Sequence, residues 1–217
     1  MTIRVALVDD QELVRTGLAM VIDACEDMRV VAQASDGAQA LSLLMATPAD
    51  VVLMDVQMPR MNGVDATAAL SARDDAAKVI VLTTFDLDDY AYAALRAGAS
   101  GFLLKDASAA EVIAAIRSVH SGDAVIAPST TRRMLDHLSR GQPRSPDEAA
   151  VAALTERERE VLVEIAHGYA NPEIARRLYL SEATVKTHIG RILAKLGLRD
   201  RVHIVIFAYD HGLVRPA

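Results

Sequence analysis

The first 123 residues repeat one pattern five times: a short apolar run rich in β-branched residues, then a stretch with helical spacing. The runs are residues 3–8 (IRVALV), 29–34 (RVVAQA), 50–54 (DVVLM), 78–83 (KVIVLT) and 101–104 (GFLL), with helical patterns near 11–24, 36–46, 63–73, 87–97 and 108–120. Parallel strands need crossovers, and strands buried on both faces read as unbroken apolar runs. The repeat therefore predicts an α/β domain built on a five-stranded, doubly wound parallel sheet. Sheets of this kind bind their ligands at the carboxyl ends of the strands.

Charge gathers at that edge. In DVVLMDVQMPRMNG (50–63) an apolar run ends on Asp55 and is then broken by Pro59 and Gly63. A carboxylate at the rim of a core is costly unless something pairs with it. Asp9 and Asp10 follow the first run, Thr83 ends the fourth, and Lys105 follows the fifth. Taken singly, Asp9 and Asp10 also suit the cap of a helix opening at Gln11, and Thr83 and Lys105 suit solvated positions. Taken together, three carboxylates, a hydroxyl and an ammonium meet at one sheet edge. Clustered carboxylates raise one another's pKa, so Lys105 and a divalent cation are the expected partners of Asp55. Hard oxygen ligands in this number suit Mg²⁺ best. Pro59 and Gly63 read as loop-shaping residues, and Met54, Met58 and Met61 as core or loop filler.

The remainder of the 217-residue chain has a different character. Residues 1–123 carry 9 Lys and Arg against 18 Asp and Glu, a net −9, whereas 124–217 carry 14 against 11, a net +3. An acidic half suits cations, and a mildly basic one is compatible with a polyanion. Residues 124–151 read as a linker with a short helix after Pro128 and two prolines in GQPRSPDE. Residues 152–217 read as a small all-α domain with helices near 155–167, 172–178, 182–196 and 201–211. Thr155 and Glu158 form a capping box, Asn171 caps the helix of Pro172 and Glu173, and Ser181 caps the next. In that third helix Val185, Ile189, Ile192, Leu193 and Leu196 share one side. Lys186, Thr187, Gly190, Arg191, Ala194 and Lys195 form a basic stripe on the other. Two helices joined by the short turn at 179–180, the second with a cationic outer face, describe a helix-turn-helix. The last helix aligns Val202, Val205, Ile206 and Tyr209, which fits either a pairing surface or the interior of its own domain. Cys25 is the lone cysteine, which leaves no internal disulfide and no cysteine metal cluster. No basic-then-apolar leader pattern and no apolar run near 18 residues is present, so a cytoplasmic protein without membrane association is expected.

In order and spacing, the DD at 9–10, the Asp of LMDVQMPRMNG, the Thr of VLTTF and the Lys of GFLLK resemble the response-regulator receiver family, with its flavodoxin-like fold, over about residues 1–123. The stretch LTERERE…IAHGYANPEIARRLYLSEATVKTHIGRILAKLGLRDR resembles the LuxR-type DNA-binding domain over about 152–214. The whole chain resembles a NarL/FixJ-class two-component response regulator. The resemblance implies that Asp55 is the phosphoacceptor for a sensor histidine kinase. It implies that Asp10, Asp55 and the Gln57 carbonyl hold Mg²⁺, with Asp9 contributing directly or through water. Lys105 and Thr83 would contact the phosphoryl oxygens. Phe102 takes the place of a switch aromatic that is often tyrosine, so the switch would work by packing without a hydroxyl. In the helical domain the resemblance places Lys186 and Thr187 at base-reading or groove-facing positions and makes Arg191 and Lys195 phosphate contacts. His188 either touches a phosphate or packs internally. Gly190 stands where family members place a polar side chain. The implied protein is a promoter-binding transcription regulator, probing half-sites as a homodimer, with RNA polymerase as a further partner. Its only chemistry would be self-phosphotransfer and autodephosphorylation at Asp55. A second reading, a Mg²⁺-dependent phosphatase with Asp55 as nucleophile and a helical docking module, would typically need a second Asp where Gln57 stands. A third is a receiver whose DNA-binding end is vestigial.

Overall fold

Asp9 and Asp55 come to lie side by side because of how the strands are ordered. The structure, a computed structural model, describes residues 2–73, 77–83, 93–121, 125–126, 147 and 149–214. The chain divides into two units, Met1–Ala127 and Pro128–Ala217. In the first, β1 (Ile3–Val8), α1 (Glu12–Asp23), β2 (Met28–Ala34), α2 (Gly37–Ala46), β3 (Val51–Asp55), α3 (Gly63–Ser71), β4 (Lys78–Thr83), β5 (Gly101–Leu104), α4 (Ala109–Ser121) and β6 (Val125–Ile126) follow one another. The sheet order is β2-β1-β3-β4-β5-β6, and every pairing is parallel. The five expected strands are present, and the two-residue β6 extends the edge beside β5. The chain changes direction across the sheet between β1 and β3, the switch point where such sheets open a crevice.

Burial follows the apolar runs. Val51 to Asp55 are buried throughout, as expected of a strand covered on both faces. One core packs Val5, Leu7, Leu53, Ile80, Leu82 and Leu103 against Ile22 of α1 and Val112, Ile116 and Val119 of α4. Phe102, next to Leu103 and so on the opposite face, is 5% exposed and pairs with Val81. The helix expected near 87–97 is described only for its final turn, 93–96. The short helix after Pro128 and nearly all of the 141–148 tether lie outside the described residues.

The second unit holds α5 (Glu156–Ala166), α6 (Asn171–Arg177), α7 (Glu182–Leu196) and α8 (Arg201–Asp210). Thr155 and Glu158 complete the capping box, and Ser181 accepts from the Thr184 amide at 3.1 Å. The cap of α6 differs from the expected one. Ala170 is the N-cap, Glu173 accepts from its amide at 2.8 Å, and the Asn171 side-chain oxygen Oδ1 accepts from Arg201 at 2.7 Å. The helix α8 is interior: Val202, Ile204, Val205, Ile206 and Ala208 are buried, and α8 packs on α5 and α7. Packing within its own domain therefore accounts for the apolar residues that also suited a pairing surface. Among the described residues, no helix is long and apolar enough to cross a membrane.

Candidate functional site: an acid pocket and a basic helix

Register delivers the acids. Val8 pairs with Met54 and Asp55 with Leu82, so the residues leaving β1 and β3 emerge as neighbours. Thr83 pairs with Leu104, and the Lys105 amide donates to the Thr83 carbonyl at 2.8 Å. The Lys105 ammonium lies 2.8 Å from Asp9 Oδ2 and 2.8 Å from Asp55 Oδ2. Both acids are buried, Thr83 is buried, and Asp10 is exposed at the mouth. Asp9 Oδ1 accepts from the Gln11 amide at 2.9 Å, which opens α1, and Arg15 donates to the Asp9 carbonyl at 2.6 Å. Asp55 Oδ1 accepts from the Gln57 amide at 3.3 Å.

Burial first, then the charge of Asp9, pushes the Asp55 carboxyl upward, while the Lys105 hydrogen bond opposes them. For Lys105, burial disfavours the charge but hydrogen bonds to Asp55 and Asp9 outweigh it, and the ammonium is held above its ordinary range. One ammonium thus serves two buried carboxylates, with a third beside them. Carboxylate oxygens of Asp9, Asp10 and Asp55 lie within 4.8 Å of one another. This all-oxygen set with excess negative charge fits a hard divalent cation such as Mg²⁺.

The loop after Asp55 is tied down in ways the motif alone does not reveal. The Gly63 amide donates to the Val56 carbonyl at 2.9 Å, and the Gly37 amide to the Met61 carbonyl at 3.1 Å. Arg60, with φ of 65°, pairs through its guanidinium with buried Asp36, which also caps α2 by accepting from the Gln39 amide. The order Ser35, Asp36, Gly37 ahead of the helical pattern is a local signal for this cap that the sequence reading passed over, whereas the pairing with Arg60, 24 positions away, leaves no local signal.

On α7, Lys186, Thr187, Gly190, Arg191 and Ala194 are exposed, and a Cβ at Gly190 would meet nothing within 4 Å. Thr187 Oγ1 donates back to the Ala183 carbonyl at 3.0 Å. His188 is half-buried, with its Nδ1 enclosed in the protein. Lys195, also exposed and expected as a phosphate contact, has its ammonium 2.7 Å from Glu158, whose side chain is 2% exposed. Turning Lys195 outward would strand a buried carboxylate. The Lys195 ammonium, then the Thr155 amide, hold the Glu158 carboxyl down at about 2. A depressed acid stabilises the fold above its unfolded value of 4.5, and that contribution is lost as the pH falls from there toward 2. Because Lys195 is 35% exposed and partly screened, Glu158→Gln should cost only about 2 kcal/mol at neutral pH. Thermal unfolding of the C-terminal unit checks this: the gap between variant and wild type should close on acidification.

Comparison with known proteins falls on the same two regions. Residues 5–117 match the response regulator receiver domain, and residues 152–208 match the bacterial regulatory proteins of the luxR family. The chain is 43% identical over 213 residues to the uncharacterized transcriptional regulatory protein YxjL of Bacillus subtilis, covering 98% of each. It is 40% identical over 213 residues to the transcriptional regulatory protein LiaR of the same organism, covering 98% of this chain and 99% of that one. Among solved structures, the response regulator ChrA of a heme-sensing two-component system aligns over 98% of this chain and 99% of its own, with 37% identity and a TM-score of 0.54.

Proposed function

The chain belongs to the response regulators in which a receiver domain precedes a LuxR-type DNA-binding domain, and from that membership we propose that Asp55 accepts a phosphoryl group from a sensor histidine kinase and that the modified receiver controls promoter binding. The observation that carries the proposal is the single Lys105 ammonium shared at 2.8 Å by the buried carboxylates of Asp9 and Asp55. An Asp55 oxygen attacks phosphorus as the phosphorus–nitrogen bond of a phosphohistidine breaks. The bonding pair returns to the imidazole nitrogen. Such a transfer needs in-line placement and neutralised equatorial oxygens more than covalent help. Lys105 leaves Asp55 as the new P–O bond forms and pairs with the phosphoryl oxygens, and the Thr83 hydroxyl donates to them. Mg²⁺ held by Asp9, Asp10, Asp55 and the Gln57 carbonyl would supply further neutralisation of that charge. Phe102, already inside, supports a packing switch.

The added charge and acceptors then alter the receiver surface. Exposed Leu13 and Met20, seven residues apart on α1, offer an apolar face for pairing two receivers. Pairing suits a small domain that alone makes few phosphate contacts. On α7, Lys186 and Thr187 read bases, with Arg191 on phosphate and His188 at the margin; RNA polymerase is the partner such binding would serve. The phosphatase reading is the weaker one, since the helical end matches a DNA-binding family and Gln57 stands where a second Asp would be needed.

Incubation with Mg²⁺ and a small phosphodonor, followed by peptide mass spectrometry and retention of promoter fragments, tests both halves. One phosphoryl group on Asp55 with tighter DNA retention is expected, and neither change in Asp55→Asn. Arg191→Ala should weaken binding evenly across sequences and lower the salt slope by about 1, whereas Lys186→Ala should also relax sequence preference. A label elsewhere, or a full response by Asp55→Asn, would falsify the proposal.

A further inference from the structure

Among the described residues, Arg60 and Tyr179 hold a left-handed backbone without being glycine. Arg60 is occupied with Asp36. Tyr179 has no such role in the fold: with φ of 55° in the turn between α6 and α7, it is 94% exposed. That backbone costs a residue with a Cβ roughly fivefold or more in folded population relative to glycine, which helix-turn-helix turns often carry. The turn itself is fixed on both sides. Arg157 donates to the Leu178 carbonyl, and the Leu180 amide donates to the Ala175 carbonyl at 2.8 Å. A bulky ring is therefore held outward by a rigid, strained turn that glycine would build more easily. Strain kept where it brings the fold nothing marks a functional position.

We infer that Tyr179 is a DNA-backbone contact, its phenol donating to a phosphate oxygen and its ring lying along the adjoining deoxyribose. This rests on the DNA-binding reading above. When a helix-turn-helix docks, its first helix crosses the backbone while the second lies in the major groove, so the joining turn lies over the bounding strand. The surroundings favour nucleic acid over a protein. Exposed Arg176 precedes the turn, as does Arg177, whose guanidinium pairs with Glu164 and stacks on Tyr169, and exposed Lys186 follows it. No other large apolar side chain is exposed among the described residues of this unit, whereas a protein-docking face needs a contiguous apolar patch. A neutral phenol displaces no condensed counterion, so its contribution carries no salt dependence, and a phosphate contact carries no sequence preference.

The test uses the full-length chain, thermal unfolding, and fluorescence anisotropy on a labelled mixed-sequence duplex of about 30 bp, roughly three helical turns, at several salt concentrations. Tyr179→Phe should weaken binding about fivefold and Tyr179→Gly about tenfold or more, with the salt slope unchanged. Tyr179→Gly should melt at the same temperature or higher, because glycine relieves the turn. A wild type that binds while Tyr179→Gly binds equally well overturns the inference alone. So does weaker binding accompanied by a lower melting temperature, which would make the ring part of the fold. Unchanged affinity with lost transcription would assign Tyr179 to a protein partner and overturn it too. A wild type that holds no duplex, even after phosphodonor treatment, overturns the DNA-binding reading and this contact together.

Discussion

Lys105→Met should lower the stability of the receiver by about 3 kcal/mol at neutral pH without metal, and the loss should shrink on acidification or on adding Mg²⁺. The wild-type ammonium reaches both Asp9 and Asp55 at 2.8 Å and is itself only 13% exposed. Methionine keeps much of the volume and removes the charge, leaving two buried carboxylates facing each other. Burial already pushes Asp55 up, with Asp9 adding to it, and the Lys105 hydrogen bond is the strongest opposing influence. Without it the native pKa rises further above the unfolded value. For an acid raised in the native state, stability is present when the group is protonated and is lost as the pH rises through the native pKa. The variant should therefore be least handicapped at acidic pH and more handicapped at neutral pH and above, a trend that a simple packing defect would not produce. A divalent cation restores positive charge at the same oxygens and should recover most of the deficit. It should not recover phosphoryl acceptance, which loses its ammonium and should slow about a hundredfold or more. Denaturant unfolding at acidic and at neutral pH, with chelator or with Mg²⁺, separates the cases. Equal losses under all four conditions would mean that Lys105 acts by packing alone.

Why this edge was legible from sequence follows from where its residues sit. Asp9, Asp55, Thr83 and Lys105 each end or follow an apolar run, and in a parallel sheet such positions share one edge whatever the strand order. Caps were legible for the same local reason: Thr155 with Glu158, and Ser181, signal within three or four residues. What stayed hidden depends on partners distant in the chain. The basic stripe on α7 identifies an outer face, but Lys195 at its margin turns to Glu158, 37 positions earlier. Asn171 sits at a helix start, yet Arg201 claims its side chain. Arg60 stays 69% exposed, yet its guanidinium pairs with buried Asp36, 24 positions earlier. Periodicity shows which side of a helix is apolar without showing how much of its circumference is covered, and so α8 could not be assigned before its neighbours were known.

Gly63→Ala should be among the most damaging single-methyl additions in the receiver, and its cause lies in close approach, because Gly63 is not among the positive-φ residues. A Cβ there would fall 2.0 Å from the Asp55 carbonyl oxygen, 2.9 Å from its carbon and 3.0 Å from Val56 Cα, all of them backbone. No side chain can rotate away, so either α3 or the peptide of Asp55 must shift. Overpacking against side chains typically costs about 1–3 kcal/mol, and a clash with fixed backbone should exceed that range. Gly37→Ala is the instructive comparison. Its Cβ would meet Met61 Cγ and Ala66 Cβ at 2.8 Å and the Met61 carbonyl oxygen at 3.0 Å; the pliable methionine can yield and the carbonyl need give only slightly, so a milder loss of about 1–2 kcal/mol is expected. Both variants alter the loop that runs from Asp55 past Gln57, but only the first displaces Asp55 itself. Gly63→Ala should therefore lose Mg²⁺ affinity by calorimetric titration in whatever fraction still folds, while Gly37→Ala keeps it. A Gly63→Ala receiver that melts within about 1 kcal/mol of wild type and binds the ion normally would mean that the loop can relax, and that this contact does not fix Asp55.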